Sequence, residues 1–325
     1  MQEKQIRLVL GAMSFGERLF GANIDETLRE YLSFDGYREI DTAYVYNGGA
    51  SERALGDAAE LLRASNVRVA TKVNPRVTGK LDGASVRLQV SESLNRLKRD
   101  SVDVLYLHFP DPATPLESTL ATCAELYREG KYRELGLSNF PAYLVADAFY
   151  RCRNLGIPAP TVYEGLYNPL SRRVESELAR ALREYGLRFY AYNPLAGGVL
   201  TDKYVDVDDV PTEGRFVNRP NYKARYWKPS YFAAVKELRA SCEKYGISVA
   251  EASYRWLAWH SFLDSSRGDA IIVGVSSVAQ LRANMRAVAC GSLPSSVVDT
   301  FESVWELTQA DAPEYFRFFN SENKG

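Results

Sequence analysis

The feature that most limits what this chain can become is a rhythm. Short apolar runs alternate with amphipathic helices and a glycine, at intervals of about 30 residues, the cadence of βαβ units in a parallel sheet. Strand-like runs fall at 36–40, 67–73, 102–109, 133–138, 161–167, 187–193 and 270–275, after an opening strand-like Arg7-Leu8-Val9-Leu10. Between them, helical stripes keep the i, i+3, i+4, i+7 spacing: Val86, Val90, Leu94 and Leu97; Leu116, Leu120, Cys123, Ala124 and Tyr127; Val174, Leu178, Ala181, Leu182 and Tyr185. Gly130, Gly156, Gly186 and Gly246 each follow a helical stretch, where a left-handed C′ residue belongs. No GxGxxG follows the first strand, and the repeat runs too long for a flavodoxin-like sheet. The expectation is therefore a single-domain (β/α)8 TIM barrel over residues 1–325. Seven strands are counted from residue 36 onward, and the eighth is expected between Pro211 and Asp269.

Composition narrows the function. With 325 residues, 46% hydrophobic, a large core is available, and a net charge of -1 without a Lys/Arg block argues against nucleic acid as partner. Four dispersed cysteines (Cys123, Cys152, Cys242, Cys290) form no CxxC pair, so neither a disulfide frame nor a zinc site is expected. Two histidines, His108 and His260, are too few for a His-rich metal site, and the metal expectation is none. No signal-peptide core and no span of 18 apolar residues is seen, so the expected location is cytoplasmic, without a membrane partner.

The chemistry gathers where strands end. Asp41 closes the first counted strand, Lys72 the second, His108 the third, Ser138-Asn139 the fourth, Glu164 the fifth and Asn193 the sixth. Each has an ordinary reading alone: a capping carboxylate, a snorkelling lysine, a satisfied core histidine. A barrel brings these ends into one ring, and that is where such folds place their chemistry. Past Asp41 the chain reads Thr42-Ala43-Tyr44-Val45-Tyr46, then a glycine turn, with Ser51 expected to cap the following helix. Nucleophile-elbow chemistry is excluded by the absence of GxSxG, and a paired-carboxylate glycosidase has only Glu164 to set against Asp41. The irregular stretch at about 202–230 has the length of a lid or binding loop, and its aromatic density argues against disorder.

Read together, Asp41-Thr42-Ala43-(x2)-Tyr46, Ala70-Thr71-Lys72, Leu105-Tyr106-Leu107-His108 and Gly136-Leu137-Ser138-Asn139 resemble the successive motifs of the aldo-keto reductases. Further along, Tyr192-Asn193-Pro194-Leu195-Ala196-Gly197-Gly198, Gly214-Arg215-Phe216, Arg225-Tyr226-Trp227-Lys228 and Ser276-Ser277-(x2)-Gln280-Leu281-(x2)-Asn284 resemble the aflatoxin-aldehyde and succinic-semialdehyde reductase branch. The resemblance implies NADPH-dependent aldehyde reduction in a detoxifying role. Tyr46 would give the proton, Lys72 would lower the phenol's pKa, Asp41 would hold Lys72 charged, and His108 would fix the carbonyl oxygen.

It further implies cofactor contacts from Ser138, Asn139 and Glu164 to the nicotinamide. Asn193, Pro194, Leu195, Gly197, Gly198 and Lys203 would serve the pyrophosphate. Ser276, Ser277, Gln280 and Asn284, with Arg215, would serve the adenosine 2′-phosphate. His108, Tyr222, Arg225, Trp227 and Arg317 would face the substrate, the last from a C-terminal loop at about 310–325. Two residues depart from the family: Glu164 replaces a glutamine and Asp202 a glycine. Both place negative charge near the cofactor. Two alternatives stand beside this reading: an NADP(H)-binding redox-sensing subunit of a larger complex, and a sugar or ketone reductase of a neighbouring branch. A homodimer is implied by the family alone.

Overall fold

The computed structural model describes residues 6–34, 36, 38–209, 211–212 and 215–319. Of the features read above, Tyr37 in the first counted run, Gly214 and the last six residues of the C-terminal loop lie outside these.

Eight parallel strands close in sequence order into one barrel: β1 (Arg7–Gly11), β2 (Glu39–Asp41), β3 (Arg68–Val73), β4 (Val102–Leu107), β5 (Tyr132–Ser138), β6 (Val162–Leu166), β7 (Arg188–Tyr192) and β8 (Ala270–Gly274). The eighth strand is not where the sequence placed it. Residues 211–269 supply helices, including Pro229–Glu243 and Val249–Trp259, and no strand among the described residues. Closure instead comes from the N-terminal Arg7–Gly11, which pairs along its whole length with β8, from Arg7↔Ala270 to Gly11↔Gly274.

Because strand side chains alternate with a period of two, inward positions form layers up the barrel. Glu39, Arg68, Glu134 and Arg188 make a charged lower layer, linked by Arg68–Glu134 at 2.5 Å and Arg188–Glu134 at 2.7 Å. Above it Val9, Ala70, Val104, Tyr106, Val162, Tyr190, Ala270 and Ile272 fill the interior. Gly136 clears room for one of them, since a Cβ there would meet the Tyr106 ring at 2.4 Å. Two residues further along the same strands come Asp41, Lys72, Ser138 and Glu164. The bottom two layers close the barrel, so the functional groups open only upward.

Helices dress the outside with the stripes that the sequence showed. Gly56 is one contact that fixes their spacing: it lies in the helix Ala50–Asp57, where a Cβ would stand 2.0 Å from the backbone oxygen of Arg96. Ser51 does not cap that helix. Gly49 holds the N-cap position, and the buried Ser51 hydroxyl donates to Ala12 O at 2.7 Å and bonds Thr42 Oγ1 at 2.7 Å. The serine ties its helix to two strand-end loops instead, those after β1 and β2.

Candidate active site

Lys72 is the centre of the upper layer. Its ammonium is fully buried, donates to an Asp41 oxygen and to Thr42 O (2.8 Å), and stands 3.1 Å from Glu164 Oε2. It also lies over two aromatic faces, Tyr106 at 5.2 Å and Tyr46 at 5.4 Å. Burial presses the lysine pKa down, but Asp41 and Glu164 outweigh it and hold the ammonium charged. Burial raises both carboxyls, and their mutual proximity pushes Glu164 up to about 8. Glu164 Oε2 receives no well-directed hydrogen bond despite its nearness to Lys72. One cation is thus shared by two acids.

That sharing changes the expected role of Lys72. Tyr46 sits on the loop after β2, its ring 5.9 Å edge-to-face from His108. The phenol lies well above its ordinary pKa, not below it. Enclosure by protein is the main cause, and the Asp41 and Glu164 carboxylates add to it. The lysine charge is spent on the acids, so Tyr46 keeps its proton. Tyr44, the competing tyrosine, donates outward to Glu92 Oε2 at 2.5 Å beneath the Arg96 guanidinium.

His108 follows β4 and is held by Asn74, which the sequence analysis missed. Asn74 lies two residues past Lys72 on the same strand period, a signal that was available. Its amide oxygen accepts from Arg76 N–H (2.9 Å), which turns its NH2 toward His108 Nδ1 (3.1 Å). Nδ1 therefore accepts, and the ring proton rests on Nε2. Burial, then the charges of Lys72 and Arg76, hold the imidazole well below its ordinary pKa, so it is neutral.

The remaining strand ends continue the ring. Asn139, in left-handed backbone (φ 60°), donates to His108 O (3.0 Å) and Ser138 Oγ (2.9 Å), and accepts from Tyr192 O–H (2.7 Å). After β7 the chain folds sharply: Asn193, Ala196, Gly197 and Gly198 all have positive φ. Pro194 is buried and Leu195 packs against the core. Tyr222 and Tyr226 bracket this turn, bonded to Asn193 at 3.2 Å and 3.0 Å. A Cβ at Gly197 would meet Tyr222 at 2.9 Å, while at Gly198 it would meet nothing before Tyr204 at 4.0 Å. This leaves a backbone cradle beside the mouth.

A second polar pole lies beyond β8. Ser277 caps the helix Val278–Ala289 by accepting from Gln280 N, and Gln280 reaches back to Ser276 N (2.9 Å) and Oγ (3.0 Å). Asn284 is one turn further along that helix. Lys203 is exposed beside the cradle, over the Tyr204 ring at 5.4 Å, and Arg215 lies 5.0 Å from the Tyr222 ring. Asp202 pairs with Arg239 at 3.5 Å, which directs its charge away from Lys203.

The segment 202–230 is helical at Arg215–Asn218 and Pro220–Tyr226. Trp227 packs there against Tyr204, Phe216 and Phe232 and donates to Val207 O (2.7 Å). Its contacts hold this segment together, and none described reaches the Lys72 cluster. Arg219 ties the segment across the mouth to Glu17 (3.0 Å) and to Asn47 (3.2 Å), next to Tyr46. Arg225 lies 5.7 Å from the Tyr222 and Tyr226 rings, and Arg317 N–H donates to Asn139 O at 3.1 Å. Among the described residues no group of three metal-ligating side chains occurs, and no helix is long and apolar enough to cross a membrane.

A parallel eight-stranded barrel thus carries a buried Asp–Lys pair, a protonated tyrosine and a neutral histidine at its mouth, a proton donor and a hydrogen-bond donor side by side. The sequence profile of the aldo/keto reductase family matches residues 7–306, and the chain belongs to that family. It is accordingly an oxidoreductase acting on aldehydes, in a family that generally uses NADP(H). It is 42% identical to aflatoxin B1 aldehyde reductase member 2 of Rattus norvegicus, over 95% of this chain and 87% of the relative. To aldo-keto reductase family 7 member A3 of Homo sapiens it is 43% identical, over 95% and 96%. A fungal relative, oxidoreductase sirO of Leptosphaeria maculans, is 36% identical over 95% and 96%.

Proposed function

We propose that this protein reduces carboxylated or dicarbonyl aldehydes to alcohols with NADPH, and that Tyr46 delivers the proton. The observation that carries the reading is the Tyr46 phenol held in its protonated form beside a neutral His108 and above a buried Lys72. The residues present fit the cofactor: the Asn193–Gly198 cradle is open at Gly198, and Glu164 Oε2 lacks a directed donor. When bound, NADPH supplies a hydride to the carbonyl carbon. Ser138, Asn139 and Glu164 would hold its nicotinamide, Asn193 through Gly198 with Lys203 its pyrophosphate, and Ser276, Ser277, Gln280, Asn284 and Arg215 its 2′-phosphate.

His108 Nε2–H hydrogen-bonds the carbonyl oxygen and fixes its place. As the oxygen gains negative charge, its basicity rises past that of phenolate, and the Tyr46 O–H bond breaks toward it. The phenolate left behind is stabilised by Lys72 until it takes a proton from solvent. A phenol that holds its proton firmly needs this strongly basic acceptor, so proton transfer follows charge development on the oxygen. Tyr222 and Arg225 of the 202–230 segment, with Arg317, meet the substrate's carboxylate. This reading draws on the aldehyde reductases named among the relatives.

The test is loss of NADPH absorbance with succinic semialdehyde, carboxybenzaldehyde and a neutral aldehyde, for the wild type and Tyr46→Phe. The variant is expected to lose about 10²–10⁴-fold in kcat while still binding NADPH. Wild-type turnover persisting in Tyr46→Phe would overturn the assignment. Equal affinity for NADH and NADPH would count against the 2′-phosphate site.

A further inference from the structure

Three arginines, Arg76, Arg225 and Arg317, stand around the mouth. Arg76 lies on the loop after β3, 5.5 Å over the Phe109 ring, which itself stacks on His108 at 4.9 Å. The chain at Arg317 is fixed by its backbone N–H, which donates to Asn139 O, and the Asn139 side-chain amide in turn holds the His108 carbonyl. Arg225 sits against Tyr222 and Tyr226, the tyrosines that grip Asn193. Arg76 is therefore two ring contacts from the reacting centre, through Phe109 to His108. None of the three is ion-paired among the described residues, although most other arginines of this chain have a carboxylate within 4 Å. The three also act on one another: burial, then the charges of Arg317 and Arg225, hold the Arg76 pKa below its ordinary value. In a chain of net charge -1 this is a local concentration of positive charge, not a general excess.

A substrate with one carboxylate neutralises one of these charges and leaves the others opposed. Two negative charges at the far end of the aldehyde satisfy the cluster better, and guanidinium forks suit carboxylate and phosphate oxygens alike. We propose that Arg76 is a specificity-determining residue, and that this mouth selects aldehydes whose distal end is a dianion, either two carboxylates or a phosphate monoester. The inference rests on the aldehyde-reductase reading and names the substrate class of that same site. Arg76 supplies the second charge; its exposed position lets it swing to the ligand while its backbone keeps Asn74 and His108 in place.

The experiment compares kcat/KM for four matched benzaldehydes: uncharged, with one carboxylate, with two carboxylates, and with a phosphate monoester. Wild type, Arg76→Gln and Arg76→Lys are assayed with NADPH, and Tyr46→Phe serves as the chemical blank. Wild type is expected to prefer at least one dianion over the monocarboxylate. Arg76→Gln should cut that ratio about tenfold, through KM, and Arg76→Lys should keep part of it. A phosphate ester becomes a dianion as pH rises through about 6, so a preference for it should grow over that range. A preference for the dicarboxylate stays flat there, and this separates the two ligands. Equal kcat/KM for mono- and dianionic aldehydes, or a ratio unchanged in Arg76→Gln, overturns the proposal while Tyr46-dependent reduction of the uncharged aldehyde leaves the reductase reading standing. No Tyr46-dependent reduction of any of the four overturns both.

Discussion

Lys72 and Glu164 stand 3.1 Å apart in a buried cluster that also holds Asp41, so a single buried ammonium serves two carboxyl groups. A buried charge left without a partner is costly, and two acids cannot both ionise against one cation without leaving negative charge behind. The site relieves this by keeping a proton on Glu164, through burial first and the nearby Asp41 second. At neutral pH the cluster is close to balanced. Above about 8 it gains a negative charge beneath Tyr46.

Glu164→Gln should therefore remove a pH dependence. The folded-state pKa of Glu164 is raised above its unfolded value, so its contribution to stability is fully present below about 4.3 and is lost as pH rises toward 8. The gap in Tm between Glu164→Gln and wild type should widen in the variant's favour from pH 5 to pH 8.5. In the alkaline limb, kcat/KM of the variant should be flatter than that of wild type. A constant Tm gap across that range would show that Glu164 does not hold its proton in the folded protein.

Lys72→Met is expected to damage both stability and turnover. It leaves Asp41 and Glu164 buried without their cation, which costs on the order of 3–5 kcal/mol when one partner of a buried pair is removed. Urea unfolding measures the loss directly. Adding Asp41→Asn to Lys72→Met should recover part of the stability and none of the activity, because the phenolate of Tyr46 would still lack its cation. Recovery of activity in the double variant would show that Lys72 acts through packing alone.

Much of this site was legible because a strand's period of two and a barrel's closure are strong constraints. Asp41, Lys72, Ser138 and Glu164 share one layer for the same reason that Glu39, Arg68, Glu134 and Arg188 share another. What escaped the sequence was partnership. Glu164 was expected against the cofactor, and the fold engages it with Lys72, since side chains three strands apart meet only once the barrel curves. The same engagement reverses the expected shift at Tyr46. Arg76 reads in sequence as an ordinary solvated arginine; its meaning comes from Arg225 and Arg317, brought near from about 150 and 240 residues away. Arg7-Leu8-Val9-Leu10 was noticed as strand-like and left uncounted, because a barrel's closing pair joins the two ends of the chain and has no local signature.

Gly56→Ala should be costly out of proportion to a single methyl group. The added Cβ would fall 2.0 Å from Arg96 O and 3.3 Å from the Leu97 carbonyl carbon, both backbone at the end of the helix Gly83–Leu97. Backbone there cannot swing aside, so the two helices must separate, at about 1–3 kcal/mol or more. The turn Tyr46–Gly49 leads straight into the helix Ala50–Asp57, so kcat should fall as well. Chemical denaturation of Gly56→Ala beside Asp57→Ala, an exposed neighbour on the same helix, isolates the steric term. Similar midpoints for the two would refute the close approach.

The lower layer makes a prediction of opposite sign to that for Glu164. Glu134 accepts from Arg68 at 2.5 Å, Arg188 at 2.7 Å and Thr161 at 2.5 Å. Burial alone would raise its pKa, but these three donors prevail and hold it down to about 2. A depressed folded-state pKa contributes stability above the unfolded value of about 4.3 and loses it as pH falls toward 2. Glu134→Gln keeps the shape but gives up the charge that Arg68 and Arg188 face, at a cost of about 1–3 kcal/mol near neutrality. Urea unfolding should show that deficit at pH 7 and a smaller one at each step below pH 4, as wild-type Glu134 takes up its own proton. A deficit that stays constant down to pH 2.5 would mean that the barrel floor is held by packing, with the ion pairs contributing nothing to its acid stability.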